Sequence, residues 1–348
     1  MKTTKRIAGD NWLNSRNHME RRKFIALLGG AGAAWPLRAR AQQPERMRRI
    51  GVLMTLSEND PEGQARLDAL RQGLNQLGWA EGKNLAIEYR WAGGDIGRLR
   101  DYTAELIGLA PDLIVANSTP ALATLHAATT TIPVVFVMVV DPVGLGYIAS
   151  LSHPGGNITG FTYMEVSLIG KWLDLLKGIA PAITRTAFLF NPDTAPFYTS
   201  FLRTFESTPH PMVMEFAAAP VPTSGELEAT IASLARVPGG SLIVGADASN
   251  IVRREAILRL VAQYKLPTLS AYRQFAEEGA LMSYGLDSEE IFRRSASYID
   301  RILKGEPPAS LPAQAPTKFE LVINLKTAKS LGLSVPANLL ALSDRVIE

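Results

Sequence analysis

The chain has 348 residues, 47% hydrophobic and 20% charged, which is apolar enough for two packed domains and rules out wholesale disorder. It contains no cysteine, so a disulfide framework, a thiolate metal site and a cysteine nucleophile are excluded. The formal charge is +3, but residues 1–41 hold nine of the 36 Lys/Arg and two of the 33 Asp/Glu, leaving 27 bases against 31 acids, a net −4, in the body. A body of that charge lacks the concentrated basic surface that nucleic-acid binding needs.

The N-terminal segment reads as a signal peptide over residues 1–41. Arg21-Arg22-Lys23 precedes an apolar run over 24–34, and Ala39-Arg40-Ala41 supplies a small-x-small cleavage site. The run is shorter than the ~20 residues of a membrane span. The paired arginines point to the twin-arginine route; a Sec leader, or a start at Met19, are the alternatives. The mature chain is expected to be soluble, to begin near Gln42 and to cross no membrane.

The body alternates short apolar runs with amphipathic stretches. Strands are expected at 50–54, 84–91, 112–116 and 133–140, the last buried on both faces because it is continuously apolar. Between them lie helices over 61–77, from the Asp95 cap to 106, and from 119 to 129, with Thr119 as N-cap and Pro120 at N1. The pattern restarts with strands at 186–190, 212–216, 241–244 and 268–270 and helices over 197–206, 224–234, 253–264 and 272–278. A strand over 280–286, a helix over 288–304, a further strand over 318–324 and a short helix to 331 follow. The order implies an α/β protein with two doubly wound parallel sheets in tandem, the chain crossing between the halves three times. Tandem lobes of this kind bring their strand C-termini to a shared crevice, where ligands bind.

Several segments then resemble a known family. They are the leader ending Ala41-Gln42-Gln43-Pro44, Ile50-Gly51-Val52-Leu53, Asn117-Ser118-Thr119-Pro120, Asp141-Pro142-Val143-Gly144, Pro154-Gly155-Gly156-Asn157-Ile158-Thr159-Gly160 and the stretch from Phe319 to Ala328. Together they resemble the ABC-transporter substrate-binding proteins of the tryptophan/tyrosine type over nearly all of residues 48–340. The resemblance implies the type I periplasmic-binding (Venus-flytrap) fold. It assigns 48–162 plus 284–310 to the first lobe and 163–283 plus 311–348 to the second. It further implies a periplasmic, monomeric, non-catalytic receptor without a cofactor or metal, which captures an amino acid or similar small molecule and delivers it to an inner-membrane ABC permease.

A zwitterionic ligand needs amide and hydroxyl donors for its carboxylate, acids for its ammonium and an apolar wall for its side chain. Ser118 and Thr119 follow a strand in the first lobe and can take an anion, although capping alone also accounts for Thr119, and Ser57, just after the first strand, belongs to the same rim. Asp141 and Asp247 end strands and are the ammonium candidates. Asn191 and Asp193 end a second-lobe strand, as ligand contacts or as an ordinary Asx turn. Tyr284, in a crossover, can wall the pocket or fill the lobe interface.

A secreted α/β enzyme or a ligand-sensing receptor with the same cleft is the competing reading. The histidines outside the leader have no acid or histidine partner at metal-ligand spacing, and no Gly-x-Ser-x-Gly elbow occurs. Gly144-Leu145-Gly146-Tyr147-Ile148-Ala149 fits Gly-x-Gly-x-x-Ala, but it follows the fourth strand with no acid-tipped strand after it. Small residues at a helix start are the expected explanation. A repressor of this fold would carry a helix-turn-helix where the leader stands.

Overall fold

The computed structural model describes residues 47–164, 167–207 and 214–348. The signal-peptide reading of residues 1–41 lies outside the described residues.

The first lobe carries the four strands read from the sequence and one more. Strands β1 (Arg48–Met54), β2 (Leu85–Trp91), β3 (Leu113–Asn117), β4 (Val134–Val139) and β5 (Ile158–Thr162) form an all-parallel sheet in the order β2-β1-β3-β4-β5. Every residue of β3, β4 and β5 is buried, as continuous apolar strands covered on both faces should be. Helix α1 (Pro61–Gln76) starts where Asp60 accepts from the amides of Glu62 and Gly63, with Pro61 at N1. Asp95 caps α2 (Ile96–Gly108) through the Arg98 amide. Helix α3 (Ser118–Ala128) begins two residues earlier than expected, with Asn117 rather than Thr119 as N-cap. Thr119 therefore is not the cap, and its hydroxyl instead accepts from the Val140 amide at 3.0 Å. The strand β5 lies inside the Pro-Gly-Gly-Asn-Ile-Thr-Gly segment, whose glycines obscure its apolar pattern. Residues 144–149 form turns and bends rather than the start of a helix, so β4 is not followed there by the phosphate-binding helix that a dinucleotide fold requires.

The second lobe contains α4 (Ser167–Ile179), β6 (Arg185–Phe190), α5 (Phe197–Ser207), β7 (Glu215–Pro220), α6 (Ser224–Ala235) and β8 (Gly240–Val244). It continues with α7 (Ala248–Val252), α8 (Arg254–Gln263), β9 (Thr268–Ser270), α9 (Arg273–Glu278) and β10 (Met282–Gly285). The single helix expected over 253–264 is thus preceded by a separate short helix, with Arg253 between the two. The strand expected at 212–216 runs from Glu215 to Pro220, and residues 212 and 213 lie outside the described residues.

After β10 the chain returns to the first lobe. Helix α10 (Ser288–Leu303) packs along α1, and the Trp79 indole donates to Asp300 at 2.9 Å. The approach is close because position 73 is glycine: a Cβ there would lie 2.6 Å from the Arg293 carbonyl. A short 3₁₀ turn (Pro308–Ser310) and residues 311–314 follow; Gln314 bridges Phe161, and Thr159 donates to the Leu311 carbonyl at 2.6 Å. The chain then crosses back to β11 (Glu320–Asn324), α11 (Leu325–Ser330), α12 (Ala337–Leu342) and β12 (Arg345–Ile347). The second sheet runs β12-β11-β10-β9-β8-β6-β7, parallel except for the antiparallel β10–β11 pair. The lobe boundaries therefore differ in detail from the sequence reading: Tyr284 and Gly285 belong to the second sheet, and residues 311–314 stay with the first. Three passages join the lobes, after β5, between β10 and α10, and ahead of β11.

Candidate functional site

The C-terminal ends of the central strands of both sheets face one another across a narrow crevice. From the first lobe Thr55 and Leu56 follow β1, Asn117 and Ser118 join β3 to α3, Met138 lies near the end of β4 and Val140 follows it. From the second lobe come Thr194, Ala246, Asp247 and Tyr272, while Tyr163 enters from the first crossover. The lobes stand close together here, and the enclosed space is about 20 Å³. Asp60 of the first lobe and Arg254 of the second pair at 3.8 Å.

Three non-glycine residues at these strand ends adopt left-handed backbone conformations: Ser118 at φ 75°, Met138 at φ 63° and Asp141 at φ 46°. Met138 sits where the β4–β5 register shifts. Such conformations cost free energy and concentrate at binding and catalytic sites, and Ser118 and Met138 line the crevice.

The polar groups are arranged around two buried donors. Arg66 projects from α1 and is 2% exposed. Its Nε donates to Glu62 at 3.0 Å, and its guanidinium lies 5.9 Å from the Tyr272 ring centre. Its Nη2 has no hydrogen-bond partner. Glu62 also accepts from the Ser288 hydroxyl at the head of α10. Burial pushes the Glu62 carboxyl up, but Arg66 and Ser288 together hold it below the usual carboxylate range. Fully buried Asn117 accepts from the Thr55 hydroxyl at 3.2 Å through Oδ1, and its Nδ2 is likewise without a partner. The Ser118 hydroxyl donates to Thr55 at 3.2 Å.

Aromatic and apolar side chains form the walls. Tyr163 and Tyr272 stand 5.8 Å apart between ring centres, and the Tyr163 hydroxyl donates to the Ala271 carbonyl at 2.7 Å. Burial raises both tyrosine pKa values, so both remain protonated donors.

The residues singled out from sequence divide into two groups. Ser118, Thr119 and Asp247 line the crevice. Asp247 Oδ1 accepts from the Thr194 hydroxyl at 2.6 Å and the Ser249 amide at 2.9 Å, and Oδ2 accepts from the Asn191 amide at 2.7 Å. Burial raises its pKa, partly offset by these hydrogen bonds. The other five do not line it. Ser57 is exposed on the loop after β1. Asp141 closes its own turn by accepting from the Gly144 amide at 2.9 Å. Asn191 forms an Asx turn with the Asp193 amide at 2.8 Å, and exposed Asp193 lines a neighbouring groove. Tyr284, on β10 of the second sheet, stacks on Phe319 with ring centres 5.5 Å apart. Sequence reasoning missed Thr55, Arg66, Asn117, Tyr163 and Tyr272. For Arg66 a signal existed: it occupies a buried helical position among apolar and small residues, Gly63, Leu67, Ala69, Leu70, Gly73 and Leu74.

Residues 49–347 match the model of the ABC transporter substrate binding protein family. A tyrosine-binding protein of Clostridioides difficile (strain R20291) is 25% identical over 279 residues, 77% of each chain. A conserved domain protein from Vibrio cholerae O1 biovar El Tor superposes with a TM-score of 0.80 at 28% identity, over 86% of this chain and all of its own. An ABC domain from Streptococcus pneumonia solved in complex with L-Trp shares the fold, with a TM-score of 0.77 at 24% identity over 86% of this chain and 99% of its own. Two parallel-sheet lobes joined by three passages, with strand ends meeting at one crevice, are the type I periplasmic-binding architecture, and this chain belongs to the ABC transporter substrate-binding protein family.

Proposed function

We propose that the chain is the exported receptor of an ABC importer, that it closes its lobes on an α-amino acid, and that it hands the ligand unaltered to an inner-membrane permease. The carrying observation is the pair of buried donors, Arg66 Nη2 and Asn117 Nδ2, which belong to residues lining the crevice and have no hydrogen-bond partner. A buried donor left unpaired costs about 1–3 kcal/mol, and a carboxylate satisfies both while gaining charge-assisted hydrogen bonds. Asp247 is the one carboxylate among the lining residues; its Oδ2 holds a single donor and retains accepting capacity for an ammonium group. The tyrosines offer an apolar wall. The relatives named for tyrosine and tryptophan support this ligand class.

In this reading the body of the first sheet with α10 and the body of the second sheet move as two units about the three passages. The ligand stabilises the closed arrangement by its higher affinity for it. The leader carries the chain to the periplasm by the twin-arginine route, and the mature chain works as a monomer.

Thermal unfolding of the purified mature chain against a panel of amino acids, amides and organic acids tests the proposal, because a ligand bound only by the folded state raises the midpoint. α-Amino acids are expected to raise it and their decarboxylated amines are not. If the amines stabilise as well as the acids, or no amino acid does, the proposal fails.

A further inference from the structure

A groove of about 450 Å³ opens on the first lobe between the C-terminal end of α1, β5 and α10. Every residue lining it belongs to the first lobe, and none of them lines the crevice. Its occupancy is therefore independent of how far the lobes close. Arg293, Arg294 and Arg301 line it and no acidic residue does, although the body as a whole carries a net −4. Helical spacing gathers them, since position 301 stands two turns beyond 293 and 294 on α10.

The three guanidinium groups differ in what holds them. Arg293 Nη1 donates to Glu290 at 2.6 Å, and Arg301 donates to Glu306 through Nε and Nη2, both at 2.6 Å. The Glu290 and Glu306 side chains are 46% and 32% exposed, so these pairs contribute little and yield readily to a stronger acceptor. Arg294 has no carboxylate within ion-pair distance among the described residues. Its guanidinium instead lies over the buried Phe161 ring, 5.6 Å from the ring centre, and stacking of this kind orients the fork before anything binds. Apart from exposed Gln76, the neutral polar side chains are already engaged. Gln314 Nε2 donates to the Tyr298 hydroxyl at 2.8 Å, that hydroxyl donates to the Pro312 carbonyl at 2.5 Å, and the Ser297 hydroxyl donates to the Arg294 carbonyl at 2.8 Å. The donors to spare are thus almost all cationic, which selects an anion.

We propose that this groove is a binding site for a phosphate group, with Arg294 as its bidentate anchor and the outer N–H groups of Arg293 and Arg301 closing on the remaining oxygens. A carboxylate fills a single fork, whereas the terminal oxygens of a phosphate can be shared among several. A free phosphate and the headgroup of an anionic phospholipid carry this same chemistry, and the experiment separates the two sources. The site goes beyond capture in the crevice and does not depend on it.

The test is titration calorimetry of the mature chain with inorganic phosphate and glycerol 3-phosphate in phosphate-free buffer, beside flotation with vesicles of phosphatidylcholine alone or mixed with phosphatidylglycerol. Arg294→Gln is measured alongside Arg98→Gln, a control at an exposed arginine outside the groove, and urea unfolding confirms that both variants fold. Binding of the soluble anions supports the site and identifies a free phosphate as its ligand. Retention only by the phosphatidylglycerol vesicles supports it and identifies a lipid headgroup. In either case Arg294→Gln is expected to weaken binding by about tenfold or more, and Arg98→Gln to leave it unchanged. A parent chain that binds neither source overturns the site, as does folded Arg294→Gln that binds like the parent. Equal weakening by both variants also overturns it, because the attraction would then be spread over the surface.

Discussion

Replacing Arg66 by leucine separates its two roles. Its guanidinium is 3% exposed and Glu62 is 10% exposed at the side chain, with 3.0 Å between them. Removing one member of a buried pair leaves the other charge uncompensated, at a cost of about 3–5 kcal/mol. The variant should therefore unfold at markedly lower urea than the parent. The ligand loses a charge-assisted hydrogen bond worth about 1.5–3 kcal/mol, which weakens amino-acid binding by roughly ten- to 150-fold. The double variant Glu62→Gln/Arg66→Leu discriminates between the effects. It removes the stranded carboxylate, so most of the stability should return while binding stays weak. Urea unfolding and calorimetry on the three proteins provide the comparison. Parent-like affinity in either folded variant would refute the assignment of Arg66 as the carboxylate anchor. Recovery of both stability and affinity in the double variant would show that Arg66 acts on binding only through the fold.

Other consequences are more local. Gly73→Ala forces α1 away from α10, since the new Cβ would meet the Arg293 carbonyl at 2.6 Å; a loss of about 1–3 kcal/mol is expected in urea unfolding, and a neutral result would mean the helices part freely. The Glu62 carboxyl is held below its ordinary value because Arg66 and Ser288 outweigh the upward push of burial. The folded chain thus binds this proton at lower pH than the unfolded chain. The stabilisation is complete above the unfolded pKa of about 4.3 and is lost as pH falls through the lowered folded value. Glu62→Gln should flatten that acid limb of a stability-versus-pH curve. Arg254→Ala removes the partly buried interlobe pair with Asp60 at 3.8 Å; with that spacing the effect on ligand affinity should stay within about 1 kcal/mol, and a larger loss would identify this contact as a principal closure latch.

Much of the architecture was legible before folding because local pattern and tertiary need agree. The continuous apolar run at 134–139 becomes a strand buried on both faces. Asp95 caps its helix as its residue type and position imply, whereas the caps at Asp60 and Asp287 are seen only in the structure. The places where the reading slipped are those where tertiary contacts override local chemistry. Thr119 was expected to cap its own helix, but its hydroxyl is drawn to the Val140 amide of the adjacent strand. The glycines around β5 hid a strand that parallel pairing with β4 forms nonetheless. Asn191 Oδ1 accepts from the Asp193 amide within their own turn, which spacing along the chain does not distinguish from a ligand contact.

The sequence by itself determined that this is an α/β chain with two sheet lobes, a crevice at the strand tips and segments resembling substrate-binding proteins, since periodicity and caps are short-range properties. Tertiary structure alone decided which polar groups face that crevice. Arg66, Asn117 and Tyr272 are 51 and 155 residues apart along the chain, and whether a buried donor finds a partner depends on what the far lobe brings within about 3 Å.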